Sequence, residues 1–246
     1  NGTYTYSGSE ITADVTGFDS NTMNITGNKG TDAREYEIIV TPKTKWSDGT
    51  TDEVKIKWHI DSKLLPMPVL SNNSFPYSGS EINIMDYFTG YDENLMKTSG
   101  TIKQTNANNS YVMSIRLKDD YNYEFEGHKT FKQYTWSITK VDPIYTVPTG
   151  LTGVKGNSLS SVTLHSVSDG TWTWSNESEV MNNIGNQTFE AVYTPNDATN
   201  YNTVRINITV NVTEGEVYPD KPTLSINGTY IYTGSEITAD VVGFDS

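Results

Sequence analysis

The residues best suited to catalysis in this sequence are its three histidines, His59, His128 and His165. A Ser–His–Asp triad or a zinc centre needs its members within hydrogen-bonding or coordination distance of one another. The three histidines belong to three different repeats of the chain, so neither site can be assembled from them. The chain has no cysteine, which also excludes a thiolate nucleophile and Cys-ligated metals. The sequence therefore predicts a protein that is not an enzyme and has no catalytic, metal or cofactor site.

Carboxylates dominate the charge, with 30 Asp and Glu against 17 Lys and Arg and a formal net charge of −13. This balance argues against a nucleic acid partner, which requires clustered basic residues. Residues 119–124 could form a hard-cation loop, but they lack the glycine and ligand spacing of a calcium loop, which favours an ordinary solvated turn. The recurring Glu10, Glu81 and Glu236 are either buried acids that promote a Lys–Asn crosslink or, as we favour, strand-edge and turn-capping residues.

Trp172 and Trp174 are two residues apart, so they project from the same side of a strand, as a platform for stacking a sugar requires. A pair of core side chains would have the same spacing. Because Trp46, Trp58 and Trp136 all lie in core-like alternation, we favour packing, and the ligand platform is the alternative.

Nine asparagines begin the sequence Asn-X-Ser/Thr, which is the acceptor for N-linked glycans. In the segment 204–210 the apolar residues alternate with polar ones, which predicts a solvated face that could accommodate a glycan. The alternative is an ordinary polar strand face rich in Asn and Thr. The predicted glycosylation sites are Asn1, Asn24, Asn72, Asn108, Asn176, Asn186, Asn207, Asn211 and Asn227.

The chain is made of internal repeats. Residues 1–20 return 226 residues later as 227–246 with three differences, and the opening phrase Tyr-Ser-Gly-Ser-Glu-Ile recurs at 77–82 and, more diverged, at 154–159. Repeats of this size indicate an array of small modules, and we expect the chain to be a slice of something longer. The predicted boundaries are 1–64 for module 1, 65–142 for module 2, 143–216 for module 3, and 217–246 for a linker and the start of a repeat of module 1.

Period-two alternation of apolar residues predicts antiparallel strands in every module, as in 54–60, 111–117 and 204–210. No segment has the apolar period of a helix. Short strands separated by turn residues predict an all-β chain of small immunoglobulin-like β-sandwich modules. A β-grasp repeat is the alternative, and it would need a helix across the sheet. Proline-bearing linkers at 65–68, 141–143 and 218–222 predict semi-rigid spacers.

The repeated phrases resemble those of a known class of surface protein. Residues 6–11, 31–38 and 46–60 look like the Ig-like repeats of large bacterial and archaeal cell-surface proteins, and residues 170–174 and 189–202 are similar to another repeat type of the same giant adhesins. The resemblance implies an extracellular tandem array at the cell surface, commonly a stalk or adhesin shaft. It carries no catalytic residues to this chain.

These observations favour a non-enzymatic extracellular structural repeat that forms a stalk, shaft or filament. The alternative is an adhesin module that binds host glycan or protein through an aromatic patch, with Trp172 or Tyr201 as members. Accessory repeats of a cell-wall enzyme are a weaker third hypothesis. The expected partners are neighbouring repeats of the same protein, including strand exchange between chains through residues 227–246. The sequence contains no run of about 18 apolar residues, so it predicts no membrane span in this segment.

Overall fold

The computed structural model describes residues 2–165, 167–216, 220, 221, 223 and 225–242, and these form strands joined by turns and irregular loops. The only helices in the described ranges are two short 3-10 turns, Ile84–Tyr87 and Leu159–Ser161. The predicted all-β class with β-sandwich modules is therefore confirmed. The β-grasp alternative is wrong for the described chain, because neither 3-10 turn is long enough to cross a sheet.

The predicted module 1 range contains a four-stranded sheet in the order β1-β6-β5-β3 and a small β2-β4 ribbon. Its core lies between them, with Ile38, Trp58 and Ile60 no more than 3% exposed. The strands are β1 (Thr3–Thr5), β2 (Ile11–Thr12), β3 (Met23–Thr26), β4 (Lys29–Gly30), β5 (Glu35–Pro42) and β6 (Val54–Asp61), followed by β7 (Lys63–Leu65).

The module 2 range repeats this plan with a sheet in the order β12-β14-β16-β9. Its core includes Met113, Ile115 and Trp136, which are at most 1% exposed. The strands are β8 (Val69–Leu70), β9 (Ser74–Pro76), β10 (Ile82–Asn83), β11 (Phe88–Thr89), β12 (Met96–Gly100), β13 (Lys103–Gln104), β14 (Asn108–Leu117), β15 (Tyr123–Phe125) and β16 (Phe131–Thr139).

The module 3 range contains a third four-stranded sheet, in the order β17-β20-β19-β18. Ala191, Tyr193 and Val210 are fully buried in its core. The strands are β17 (Leu151–Val154), β18 (Gly170–Trp174), β19 (Gly185–Pro195) and β20 (Val204–Thr213). After them a short ribbon is formed by β21 (Ser225–Asn227) and β22 (Asp240–Val242), which pair in antiparallel register.

One pairing is common to all three four-stranded sheets, and it joins the first strand of each sheet, in chain order, to its last. Strand β1 runs parallel to β6 with Thr3 opposite His59, β9 is parallel to β16, and β17 is parallel to β20. The last strand in turn pairs antiparallel with the long strand before it. The alternation predicted for these long strands is confirmed, apart from Val54, which is 47% exposed because it lies at the first position of β6.

The chain divides into two compact units. The first comprises residues 1–143 together with 195–203, and the second comprises 144–194 and 204–246. Modules 1 and 2 therefore share one unit.

Candidate functional site

The two tryptophans proposed as a ligand platform lie in the core of module 3. Trp172 is 4% exposed and Trp174 is 6% exposed. Their indole N–H groups donate to the carbonyl oxygens of Thr146 and Val162, at 3.1 and 2.9 Å. The platform hypothesis is therefore wrong, and the packing alternative explains the pair, because a buried indole pairs its N–H with a carbonyl and offers no face to a sugar.

The predicted glycosylation sites have exposed side chains wherever the structure describes them. Asn24, Asn72, Asn108, Asn176, Asn186, Asn207, Asn211 and Asn227 are all exposed, while Asn1 lies outside the described residues. Asn207 and Asn211 alternate with buried Ile208 and Val210 on β20, so the solvated face expected there is formed. Attachment of glycans stays a prediction of the sequence.

Two of the three histidines contact a carboxylate, and two of the three recurring glutamates form exposed ion pairs with a lysine. His59 contacts Asp61 at 2.9 Å, and His128 contacts Glu124 at the same distance. Glu10 pairs with Lys29 at 2.8 Å and Glu81 with Lys103 at 3.2 Å, with both glutamate side chains 56% exposed. The idea that these glutamates are buried acids is therefore wrong. Within the described ranges, no three His, Asp or Glu side chains cluster as metal ligands would.

The structure instead brings together a loop of module 2 and a turn of module 1. The loop is 119–123, Asp-Asp-Tyr-Asn-Tyr, which connects β14 to β15. Asn122 is 8% exposed, and its side-chain oxygen accepts a hydrogen bond from the amide of Ala33 at 2.8 Å. Its side-chain nitrogen donates to Asp32 at 3.3 Å and to Asp119 at 2.9 Å. A buried amide with all these partners joins the two modules at a defined position.

Main-chain pairing extends this junction. The amide of Lys63 donates to the carbonyl oxygen of Asn122 at 2.8 Å, and β7 then pairs in parallel with β15, with Tyr123 opposite Lys63. Next to it, the rings of Tyr6 and Tyr123 meet edge to face with centroids 5.3 Å apart. The chain that leads into the predicted linker 65–68 is thus a paired strand as far as Leu65. The semi-rigid spacer stays a prediction from the prolines.

A second copy of the same arrangement lies within the first unit. Residues 195–203 contain Asp197 and Asn200, and Asn200 is 5% exposed. The side-chain oxygen of Asn200 accepts from the amide of Ala107 at 2.7 Å, and its nitrogen donates to Asn106 at 3.2 Å and to Asp197 at 2.8 Å. In the described chain, Asn122 and Asn200 are the only buried polar side chains.

The neighbouring contacts are copied as well. The amide of Val141 donates to the carbonyl oxygen of Asn200 at 3.2 Å, and Val141 forms a parallel bridge with Tyr201. The rings of Tyr77 and Tyr201 meet edge to face at 5.4 Å. Tyr201, a member of the aromatic patch that the adhesin alternative predicts, therefore has the ring of Tyr77 as a packing partner.

Each receiving turn is held by a tyrosine of the strand that follows it. The hydroxyl of Tyr36 donates to the carbonyl oxygen of Asp32 at 2.9 Å, and that of Tyr111 donates to the carbonyl oxygen of Asn106 at 2.7 Å. Both tyrosine rings pack on a core tryptophan, Trp58 and Trp136 respectively. The receiving turns are thereby fixed to the cores of their modules.

The charge of Asp119 fits its place in the loop. Burial acts to raise its pKa, but the hydrogen bonds from Asn122 and Tyr121 outweigh burial and leave the pKa below the ordinary value of 3.8. A lowered pKa means that the folded loop favours the ionised carboxylate. The stability that ionised Asp119 contributes to the fold is fully present above the ordinary pKa and is lost as the pH falls through the lowered pKa. The loop is therefore supported by the carboxylate at neutral pH.

The local sequence does not reveal this junction, because the residue types at 119–124 are those of a solvated turn. The interpretation as a solvated turn is wrong for Asn122, which is buried. The signal was present as the pattern Asp-x-x-Asn-Tyr, which stands at 119–123 and again at 197–201. A repeated polar motif in loops is informative, because loop sequences vary freely unless they bind something.

No helix in the described part of the chain is long and apolar enough to cross a membrane.

Comparisons with known proteins found distant structural likenesses. No family model matches the chain, and no curated protein matches it. One similar solved structure is the Bacteroides ovatus mixed-linkage glucan utilization locus SGBP-B in complex with a mixed-linkage heptasaccharide, at 9% identity and a TM-score of 0.16 over 86% of this chain. Another is the set of extracellular cadherin domains 1–5 of protocadherin gamma B2, at 10% identity and a TM-score of 0.23 over 92% of this chain. The matches span 66% and 60% of those chains, and at such scores they carry no argument about function.

Proposed function

We propose that the protein is a non-enzymatic, extracellular structural repeat that forms a stalk, shaft or filament of a cell-surface protein. The observation that carries this proposal is the junction between modules 1 and 2, where strand β7, which leads into the linker, pairs with β15 and a buried asparagine joins the two modules. A chain of independent binding modules would not need such a junction. The adhesin alternative loses its proposed platform, because Trp172 and Trp174 are buried.

The strand pairing within each module suits a part that bears tension. The first and last strands of each four-stranded sheet, in chain order, are parallel neighbours, and each leads toward one end of the module. A pull on the two ends moves these strands in opposite directions along their axes. All the hydrogen bonds between them are then loaded together, whereas a peeling geometry would break them one at a time.

This mechanism predicts that stretching the full chain by its two ends gives a separate force peak as each module unfolds. Each event should release about 200 Å or more, from roughly 3.3–3.6 Å per extended residue. Replacing Lys155 with proline should lower the peak of module 3, because proline cannot donate the amide bond that Lys155 makes to the carbonyl oxygen of Thr213 at 3.0 Å.

The matched control is Lys155→Ala, which keeps the amide and removes only the exposed ion pair with Glu214 at 3.1 Å. Such a pair contributes about 1 kcal/mol or less. Single-molecule force spectroscopy on the three proteins measures the difference. Extension without peaks, or equal effects of the two substitutions, would contradict a load-bearing role for this strand pair.

Strand exchange between chains is a second candidate arrangement, favoured by the exposed side chains of residues 226–239, 241 and 242. Ile231 and Tyr232 are 78% and 90% exposed. At the corresponding position to Tyr230 in module 1, Tyr4 packs edge to face on Trp58 with centroids 5.6 Å apart. Because residues 227–246 nearly repeat 1–20, this segment of one chain could take the place of β1 beside β6 of another chain.

Strand exchange predicts association that grows with protein concentration and is abolished by Tyr230→Ser, since the exchanged strand would lose the ring that packs on Trp58. Ile226→Ser is the control, because Ile226 is 65% exposed and precedes the repeated segment. Light scattering coupled to gel filtration measures the mass. A wild-type chain that remains monomeric throughout, or a dimer that both variants retain, would exclude this arrangement.

A further inference from the structure

The two asparagine junctions are built from the same parts in the same order. On one side is the loop Asp-x-x-Asn-Tyr, at 119–123 and 197–201. On the other side is a receptor formed by a tyrosine and an Asx-Ala turn, Tyr6 with Asp32-Ala33 and Tyr77 with Asn106-Ala107. In both copies the asparagine bonds the alanine amide and the Asx side chain, and the two tyrosine rings meet edge to face.

The aspartate of the motif prepares the asparagine for binding. Asp119 accepts from the amide and the side chain of Asn122 at 3.0 and 2.9 Å, and Asp197 does the same for Asn200 at 3.2 and 2.8 Å. These bonds fix the loop and the direction of the asparagine side chain. A side chain that is already oriented loses less conformational freedom when it docks.

The two middle positions of the motif differ between the copies, so docking does not depend on the residue types at these positions. They are Asp120 and Tyr121 in one loop and Ala198 and Thr199 in the other, and all four are exposed. Recognition therefore depends on the aspartate, the asparagine and the tyrosine.

The sequence also shows which modules lack the loop motif or its receptor. Module 1 has no Asp-x-x-Asn-Tyr in the corresponding loop, residues 43–53. In module 3 the receptor tyrosine is replaced by Lys155, whose amide makes the same bond to the last strand that the amides of Tyr6 and Tyr77 make in their modules. The corresponding turn, 182–184, reads Asn-Asn-Ile and has no alanine.

We propose that Asp-x-x-Asn-Tyr is a docking element that recognises the Tyr plus Asx-Ala receptor of the preceding module of the same protein, and that the joint after module 3 does not use it. This inference goes beyond the proposed function, because it names the surface by which repeats recognise one another. Along the 226-residue period, the docking element then marks which joints carry a specific contact and which do not.

The test is hydrogen exchange at single-residue resolution on the full chain, which reads the amides of Ala33 and Ala107 separately. Asn122→Ala should speed exchange at Ala33 by about tenfold or more and leave Ala107 unchanged, and Asn200→Ala should do the reverse, because a lost buried hydrogen bond opens the amide to water. Each variant is thus the control for the other.

Two further variants define the motif. The double substitution D120A/Y121T converts the first loop into the sequence of the second, and it should leave the protection of Ala33 unchanged. Asn122→Asp keeps an oxygen acceptor for the Ala33 amide, but it loses the hydrogen bonds donated to Asp32 and Asp119 and places a third carboxylate beside them. Its exchange rate at Ala33 should lie between those of the wild type and of Asn122→Ala.

Unchanged protection of Ala33 in Asn122→Ala would overturn the proposal, and so would deprotection of Ala33 by the D120A/Y121T control. If Asn122→Ala does not fold, Asn122→Asp gives the answer. An exchange rate at Ala33 equal to that of the wild type would show that the hydrogen bonds donated by the Asn122 side chain are not used, and this would also overturn the proposal. None of these readings depends on load or on location at a cell surface. Failure of the docking element and failure of the structural function can therefore be told apart.

Discussion

Replacing Trp136 with alanine should destabilise module 2 by about 3–5 kcal/mol, the range for removing a buried aromatic side chain. Trp136 is 1% exposed and packs against Phe75 and Tyr111, with centroids 6.3 and 4.9 Å away. Its indole N–H donates to the carbonyl oxygen of Thr101 at 2.9 Å, and the truncation leaves that acceptor without its partner. Since a small domain has only about 5–15 kcal/mol of stability, much of the margin of the module would be lost.

Phe131→Ala is the matched control, because Phe131 lies on the same strand and is 49% exposed. It loses one contact with the guanidinium of Arg116 at 5.1 Å and should cost about 1 kcal/mol or less. Urea unfolding followed by hydrogen exchange in β14 and β16 reports on module 2 alone, which avoids treating the whole chain as two-state. Similar losses in the two variants would show that Trp136 is not the centre of this core.

The second large effect is expected at Gly27. Its φ is +76°, and a Cβ there would lie 2.0 Å from the carbonyl oxygen of Glu37. The carbonyl oxygen of Gly27 also accepts the indole N–H of Trp58 at 2.9 Å, so a shift of this backbone would break that bond. Backbone strain, the steric clash and the lost hydrogen bond together should lower the free energy of unfolding of module 1 in the Gly27→Ala variant by at least about 3 kcal/mol.

Gly49→Ala separates the strain of a positive φ from the steric clash with the Glu37 carbonyl and the loss of the hydrogen bond. Gly49 lies in the same module with a φ of +84°, but a Cβ there would meet nothing within 4 Å. It should therefore cost only the conformational strain of about 1–2 kcal/mol. Urea unfolding of both variants, followed in module 1, measures the difference. A difference of less than about 1 kcal/mol between them would contradict the role assigned to the Glu37 carbonyl.

The strand content of the modules could be predicted because burial on one face leaves a direct trace in the sequence. Met113, Ile115 and Leu117 alternate with the polar residues Ser114 and Arg116, and all three are buried on β14. The spacing of Trp172 and Trp174 was equally clear, but it could not decide between a core pair and an exposed platform. Alternation fixes which residues share a face and leaves open which face is covered.

By itself, the sequence determined the all-β class, the repeats and the absence of a helical period, since these depend on local patterns of apolar and turn residues. Only the tertiary structure decided that Asn122 and Asn200 are buried and that β7 pairs with β15. The environment of a polar loop residue depends on which distant surface meets it. Ala33 and Asn122 are far apart in the chain, and no local pattern records that the amide of one donates to the side chain of the other.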